Sequence, residues 1–383
     1  MTNTFTGASG SASDRRHAIS ILAANYPTDP VDVIIGDVRS NTHLSSHSPN
    51  NSQQWMSEAN MASLASKKSL SSSSNDIFYE PTFLEALSSA LPSIHKHGIK
   101  VAVNAGASDT KGLSNAVKKM IREQGLEGKV KVAWVEGDDV LDIVKERLNG
   151  RNRWKGIREK KTQGEKGISV FDTWMEGGEV GEEVREYIDI SRFENLCTGQ
   201  TLREWEFKDD IIAAQAYLGG LGIAKAFEEG ADIVICGRVS DASPVIGAAF
   251  WWHGWRRGDL RELANAFVAG HLIECSNYVC GGNFTGFKDF EGEKWLDIGY
   301  PIAEIGKEGD VVITKQKRTG GLVTVETCKA QLLYEIQGPY YFNVRMIKFP
   351  LLFLTLLLKH SFQVILPKQT KVASLTPFAF KLS

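Results

Sequence analysis

Polar and ionisable residues recur at the ends of short apolar runs in this chain, and that placement is where chemistry is first to be sought. The run Ala231–Cys236 is rich in β-branched residues and stops at Gly237-Arg238, with Asp241 three residues on. VDVIIG stops at Asp37, Ile99–Asn104 runs into NAGASD with Gly106 and Asp109, and Val130–Val135 runs into Glu136, Asp138 and Asp139. If these runs are parallel strands, their carboxyl ends share one rim, which is where open α/β sheets bind ligands. Carboxylates there suit proton transfer or a hard cation. Glu136 and Asp241 are therefore candidate catalytic residues, while Asn104, Gly106, Gly237 and Arg238 are candidates for holding an anionic substrate group. The competing reading makes Asp138 and Asp139 helix caps, and pairs Arg238 with Asp241 across a tight loop.

A second constellation lies in HLIECSNYVCGG, residues 271–282. His271 and Glu274 are three apart and share a helix face, as a base and its orienting group would, or as two metal ligands would. His271 is the candidate base, against the plainer role of a satisfied structural histidine. Glu274 and Asp139 are the candidate ligands of a divalent cation. Cys275 and Cys280 do not have the spacing of a structural zinc site, so none is expected. Gly281 and Gly282 would admit a ligand close to the backbone. Two further glycine-rich stretches suit anions. GASGSASDRR offers Gly7, Ser9, Gly10, Asp14 and Arg15 ahead of a helix, although it is neither a Walker motif nor a dinucleotide fingerprint. RTGG offers Thr319, Gly320 and Gly321 beside Lys315 and Arg318, or else a simple hairpin turn.

The elements that must position these residues follow from periodicity. Helices are expected near His17–Asn25, over Pro81–His97, Thr110–Gln124, from Asp139 through Leu148, over Asp209–Glu229 and over Leu260–Ala269, with another opened by Asp241 or Ser243 and Pro244. Strands are expected at Val31–Gly36, Ile99–Asn104, Val130–Val135 and Ala231–Cys236, and then as short alternating runs at Pro301–Ile305, Val311–Thr314 and Leu322–Val325. The alternation predicts an α/β fold, a mostly parallel sheet with helices on both faces, plus a smaller α+β extension toward the C-terminus.

Three stretches sit badly in this scheme. Val38–Gln54 is polar and without periodicity, and interrupts a strand-to-helix connection of the kind that usually takes about 2–6 residues. Asn149–Arg192 is charged and glycine-rich, and is expected as a surface excursion with one short helix at Glu182–Ile188. The last segment, 344–383, has apolar runs without amphipathic order. Val38–Gln54 and Val344–Ser383 both begin Val-Arg, and the first ends in Gln, as in-frame introns bounded by GT and CAG would. They are read as retained intron sequence, a reading that sequencing of the transcript decides. The expected organisation is an α/β domain over 1–343, with 38–54 and 149–192 as insertions, and an irregular tail over 344–383.

Composition bounds the function classes. The 383 residues carry a net charge of −2 and no basic stripe interleaved with aromatics, which argues against nucleic acid and anionic membranes. Five irregularly placed cysteines, at 197, 236, 275, 280 and 328, suit a reducing compartment. No secretory leader is recognisable and the longest late apolar run, Pro350–Leu358, is too short to span a bilayer, so a cytoplasmic protein is expected.

Taken in order, GASGSASDRR, VDVIIGD continuing at WMSEANMA, VAVNAGASD, VAWVEGDD, AYLGG, GADIVICGRVSDAS, AGHLIECSNYVCGGNF, TKQKRTGGLVT and QLLYEIQGPYY resemble the acyclic terpene utilisation (AtuA-like) family. The resemblance spans Gly7 to Tyr341. It implies an α/β domain, often accompanied by a small ferredoxin-like domain or subunit, and a part in catabolism of branched acyclic terpenoids through acyl-CoA intermediates. It leaves the reaction open. Lyase, hydratase or isomerase chemistry on a branched carboxylate or acyl-CoA is the first expectation, with Glu136 or His271 as base and a divalent cation as the one cofactor considered. A non-catalytic binding subunit, an oligomer or an inactive truncated product are the alternatives.

Overall fold

The computed structural model describes residues 2–8, 17–36, 43–44, 54–55, 79–148, 199–200, 214–289, 292, 295–335, 340–343, 347–350, 362–365 and 372–374. The interrupted connection, the charged excursion and the tail fall mostly outside these residues, as do Ser9, Gly10, Asp14 and Arg15 and the helix expected at Glu182–Ile188.

The core sheet is built from β1 (Thr2–Gly7), β2 (Val33–Gly36), β3 (Lys100–Val103), β4 (Val132–Val135), β5 (Ile233–Cys236), β6 (Pro301–Gly306) and β7 (Val311–Lys315). Their order is β7-β6-β1-β2-β3-β5-β4. β1, β2, β3, β5 and β4 run parallel in that order, and β6 and β7 extend the sheet antiparallel beyond β1. Phe362–Ile365 and Val372–Ser374 continue it past β7. The sheet is thus mixed, with its parallel part forming the middle and one side.

Helices α1 (Ala18–Ala24), α2 (Thr82–His97) and α3 (Thr110–Glu123) pack on one face, over Ile34, Val101, Val103, Ile233 and Ile235. Helices α4 (Leu141–Leu148), α5 (Leu221–Glu228), α6 (Ser243–His253), α7 (Leu260–Glu274) and α8 (Val325–Glu335) follow in sequence. Residues of α5, α6, α7 and α8 pack on the other face, over Phe5, Val33, Ile35, Ala102, Val234 and Cys236. Successive residues of one strand therefore enter opposite cores, which is why these runs are apolar throughout rather than alternating. Among the described residues no helix is long and apolar enough to cross a membrane.

Three elements differ from the sequence expectation. β1 has the polar sequence TNTFTG, which carries no buried-strand signal, yet it lies in the middle of the sheet. Several of its polar groups find distant partners, although the buried Asn3 amide nitrogen has no hydrogen-bond partner among the described residues. Thr4 donates through its hydroxyl to Asp32 (2.8 Å), Thr6 donates to the Pro301 carbonyl (2.7 Å), and Asn3 Oδ1 meets His253 Nε2 at 3.0 Å. Leu322–Val325 is not a strand but the entry to α8. The Thr324 and Thr327 hydroxyls accept from each other's backbone N–H (3.2 and 2.9 Å), a reciprocal cap that starts the helix. The helix expected over Asp209–Glu229 begins only at Leu221. Ahead of it, Gln215 and Leu218 make isolated bridges to Asp139 and Val239. Gly219-Gly220 interrupts the helical pattern, and Gly220 lets α5 lie directly on α6, because a Cβ there would come within 2.7 Å of the Gly247 nitrogen.

Candidate functional site

The loop after β5 is held by a buried carboxylate. Asp138, 7% exposed, accepts from the Arg238 backbone N–H at 2.7 Å. Its carboxylate sits so close to Gly237 that a side chain at 237 would collide with it. Asp138 is thus an anchor for the β5 loop rather than a cap. Asp139 is the cap: it is exposed and accepts from Leu141 N at 3.1 Å. The Arg238 guanidinium lies 4.0 Å over the Tyr217 ring and 3.8 Å from Asp241, with 12% of its side chain exposed. A cation held over an aromatic ring and largely desolvated is well placed to meet a carboxylate or phosphate. Beside it, Gly106 donates to the Cys236 carbonyl at 3.0 Å, and Asn104 is fully buried. Gly106 has no room for a side chain, since Thr110 and the Cys236 carbonyl stand within 3 Å of where its Cβ would be.

Helix α7 brings the second group to the same rim. Its middle packs on the β5 loop at Gly270, where a Cβ would lie 2.7 Å from that of Ala242. Its end packs on Gly7, the last residue of β1, and Ser276 donates to the Gly7 carbonyl at 2.8 Å. His271, 1% exposed, stands between these two contacts on the helix. Its ring meets Phe267 edge-on at 4.6 Å, and its Nδ1 is 3.5 Å from Glu335 on α8. Glu335 is held in turn by Gln331, whose amide donates to it at 2.8 Å. Glu274, Cys275 and Glu335 have ligand atoms within 4.8 Å of one another, a group that does not include Asp139. The negative field of this group reaches Tyr334, whose phenol is raised to about 12 by Cys275 first, then by partial burial, Glu335, Tyr278 and Glu274.

The two glycine pairs join in a third group. Gly321, at φ +67°, lies against the Cys280 carbonyl, and the Leu322 N–H donates to that carbonyl at 2.9 Å. Gly281 adopts φ +110° and Gly282 lies on the Asn277 carbonyl. Lys315, 7% exposed, spends its ammonium on the Gln316 carbonyl (3.1 Å), the Thr319 carbonyl (3.3 Å) and the Thr319 hydroxyl. Burial pulls its pKa below the usual lysine range, against the opposing effect of Cys280, Asp297 and Asp29. The RTGG loop is therefore neither a bare hairpin nor a loop with Lys315 aimed outward. Its lysine is an internal tie.

Helix α7, which carries His271, touches the β5 loop at Ala242 and the end of β1 at Gly7, and the residues following it meet Gly321 through the Cys280 carbonyl. Glu136 stands apart. It is exposed just beyond edge strand β4 and accepts from the Trp134 indole at 2.7 Å, with Trp134 packed toward the α1–α3 face. The residues that sequence reasoning missed are Glu335, Gln331 and Tyr217. Glu335 and Gln331 lie in QLLYE, four residues apart, but only the packing of α8 against α7 gives that spacing a partner.

The cysteines divide by environment. Burial pushes the Cys280 thiol up to about 12 despite Lys315, and raises Cys236 and Cys328 as well. Raised thiols stay protonated at neutral pH, and reaction with alkylating reagents needs the thiolate. In metal-free native protein at pH 7.5 or thereabouts, iodoacetamide is therefore expected to label the half-exposed Cys275 while Cys236, Cys280 and Cys328 react only after unfolding. Peptide mapping of the labelled sites checks this, and early labelling of Cys236 would contradict it.

The family model described as "Acyclic terpene utilisation family protein AtuA" matches residues 4–170 and 158–347. No curated protein and no solved structure matches the chain.

Proposed function

Because the chain belongs to the acyclic terpene utilisation family AtuA, we propose that it is an enzyme of that catabolism which removes a proton next to the carbonyl of a branched carboxylate or its acyl-CoA ester. The observation that carries this reading is the buried His271–Glu335 pair, at 3.5 Å, on the helix that packs against both the β1 end and the β5 loop. The Glu335 carboxylate, 3.5 Å from Nδ1, favours the imidazolium that forms when the ring takes a proton. Arg238 and the loops at Gly106 and Gly281–Gly282 supply the means to hold the anionic end. Asp241, beside Arg238, sets that guanidinium's position. Dehydration of a 3-hydroxyacyl substrate and migration of a double bond next to the carbonyl both begin with this proton transfer. Glu136, tied to Trp134 on the sheet edge, is the less suited of the two bases.

The test combines binding with exchange. A panel of branched and straight acyl-CoA esters and free acids is screened for thermal stabilisation, where a ligand at one hundred times its Kd contributes about 2.7 kcal/mol. Ligands that stabilise are then incubated with the protein in D2O. Uptake of deuterium at the carbon beside the carbonyl is the expected result. Stabilisation without uptake would make this a binding subunit, and no stabilisation by any branched compound would remove the substrate class.

A further inference from the structure

We infer, resting on the proposal that Arg238 holds the anionic end of the substrate, that Tyr217 is the positioning residue which sets that guanidinium in place before the anion arrives. The contact is direct: the guanidinium carbon lies 4.0 Å from the centre of the Tyr217 ring.

The backbone around Tyr217 is what fixes the ring. Residues 214–218 form a strap between the loops that follow β4 and β5, bridging Asp139 through Gln215 and Val239 through Leu218. On one side the Ala216 N–H donates to the Asp138 carbonyl at 2.7 Å, and the Val140 N–H donates to the Ala214 carbonyl at 3.0 Å. On the other, the Leu218 N–H donates to the Arg238 carbonyl at 3.1 Å, and the Ser240 N–H donates to the Leu218 carbonyl at 2.9 Å. Tyr217 thus sits between two residues pinned to different loops, and its ring has only its own two torsions left to settle. Asp138 serves both partners. Its carbonyl holds Ala216, and its carboxylate accepts from the Arg238 backbone N–H at 2.7 Å. Ring and guanidinium therefore hang from one anchor.

An arginine side chain is long, and freezing it at the moment of binding costs rotamer entropy. A contact that orders it beforehand moves this cost to folding and tightens binding. A carboxylate can order it too, but its charge competes with the incoming anion. Asp241, at 3.8 Å, is a partner of that kind. The Tyr217 ring attracts the cation without adding a formal charge, and the attraction strengthens as the cation loses water, here to 12% side-chain exposure. The ring itself is 48% exposed, so replacing it uncovers little of the core.

Calorimetric titration of the full-length protein with isovalerate and with inorganic phosphate tests the assignment. The proteins are the unaltered chain, Arg238→Met, Tyr217→Leu, Tyr217→Phe and the double variant with Arg238→Met and Tyr217→Leu. The probe that loses affinity in Arg238→Met names the anion as carboxylate or phosphate. For that probe Tyr217→Leu is expected to weaken binding about tenfold, and Tyr217→Phe to bind as the unaltered protein does. The double variant should bind no worse than Arg238→Met, because the ring acts through the guanidinium. Magnetic resonance of isotope-labelled arginine gives a readout that needs neither ligand nor a stable Tyr217→Leu. The Arg238 side-chain signals should lie upfield in the unaltered protein and stay there in Tyr217→Phe. Affinity lost in Arg238→Met but unchanged in Tyr217→Leu would overturn the role of Tyr217 and leave that of Arg238 intact. Equal losses in Tyr217→Phe and Tyr217→Leu, or Arg238 signals at ordinary positions, would overturn it as well. Binding that is absent, or the same with and without Arg238, would remove both roles.

Discussion

Replacing His271 by asparagine is expected to lower kcat on the stabilising acyl substrate by about 10²–10⁴-fold, the usual worth of a positioned general base, with little change in KM. The split follows from geometry. The anion-holding residues, Arg238 and the glycine loops, are on other segments and keep their partners when the imidazole is lost. His271 touches Phe267 and Glu335 within the core, so a change there also risks packing. Two readouts separate the effects. Ligand-induced thermal stabilisation should persist in His271→Asn, and added imidazole should restore part of the turnover in His271→Ala. Glu335→Gln removes the negative charge but keeps the shape, and should lower kcat by less than the loss of the base itself. Equal kcat in His271→Asn and the unaltered protein would remove His271 from the chemistry. Loss of ligand stabilisation together with turnover would make it a packing residue.

The parts of this arrangement that were legible in the sequence are those governed by local rules. Apolar runs such as VDVIIG and ADIVICG fill both faces of a parallel sheet, and their terminal glycines and charged residues mark the rim. β1 was not legible because Thr4, Thr6 and the Asn3 carbonyl oxygen meet Asp32, Pro301 and His253, partners that lie far along the chain. The same limit applies to the site. His271 and Glu274 announce themselves by spacing, whereas Glu335 acquires a meaning only when α8 packs on α7, some sixty residues away. Lys315 was legible as a basic residue beside RTGG but not as an internal tie, because its direction depends on where Thr319 folds back. Asp138 and Asp139 are adjacent in sequence and opposite in role: one buried under Gly237, the other capping α4.

Gly7→Ala is expected to destabilise the fold by about 3 kcal/mol, the upper part of the range for forcing atoms into a packed interior. The added methyl would overlap the Ile273 carbonyl oxygen and come within 2.8 Å of its carbonyl carbon. These are backbone atoms and cannot rotate away, so β1 and the end of α7 must separate. That movement would also stretch the Ser276 hydroxyl bond to the Gly7 carbonyl, now 2.8 Å, and shift Glu274 and Cys275 two and one residues before it. Gly258→Ala is the matched control, because a Cβ at 258 meets nothing within 4 Å and the residue is not at positive φ. The measurement is chemical denaturation of the three proteins, read as a change in midpoint at constant slope. If Gly7 serves only as a flexible entrance to the anion loop, Gly7→Ala and Gly258→Ala will unfold together. If it is the point where β1 meets α7, Gly7→Ala alone will lose stability.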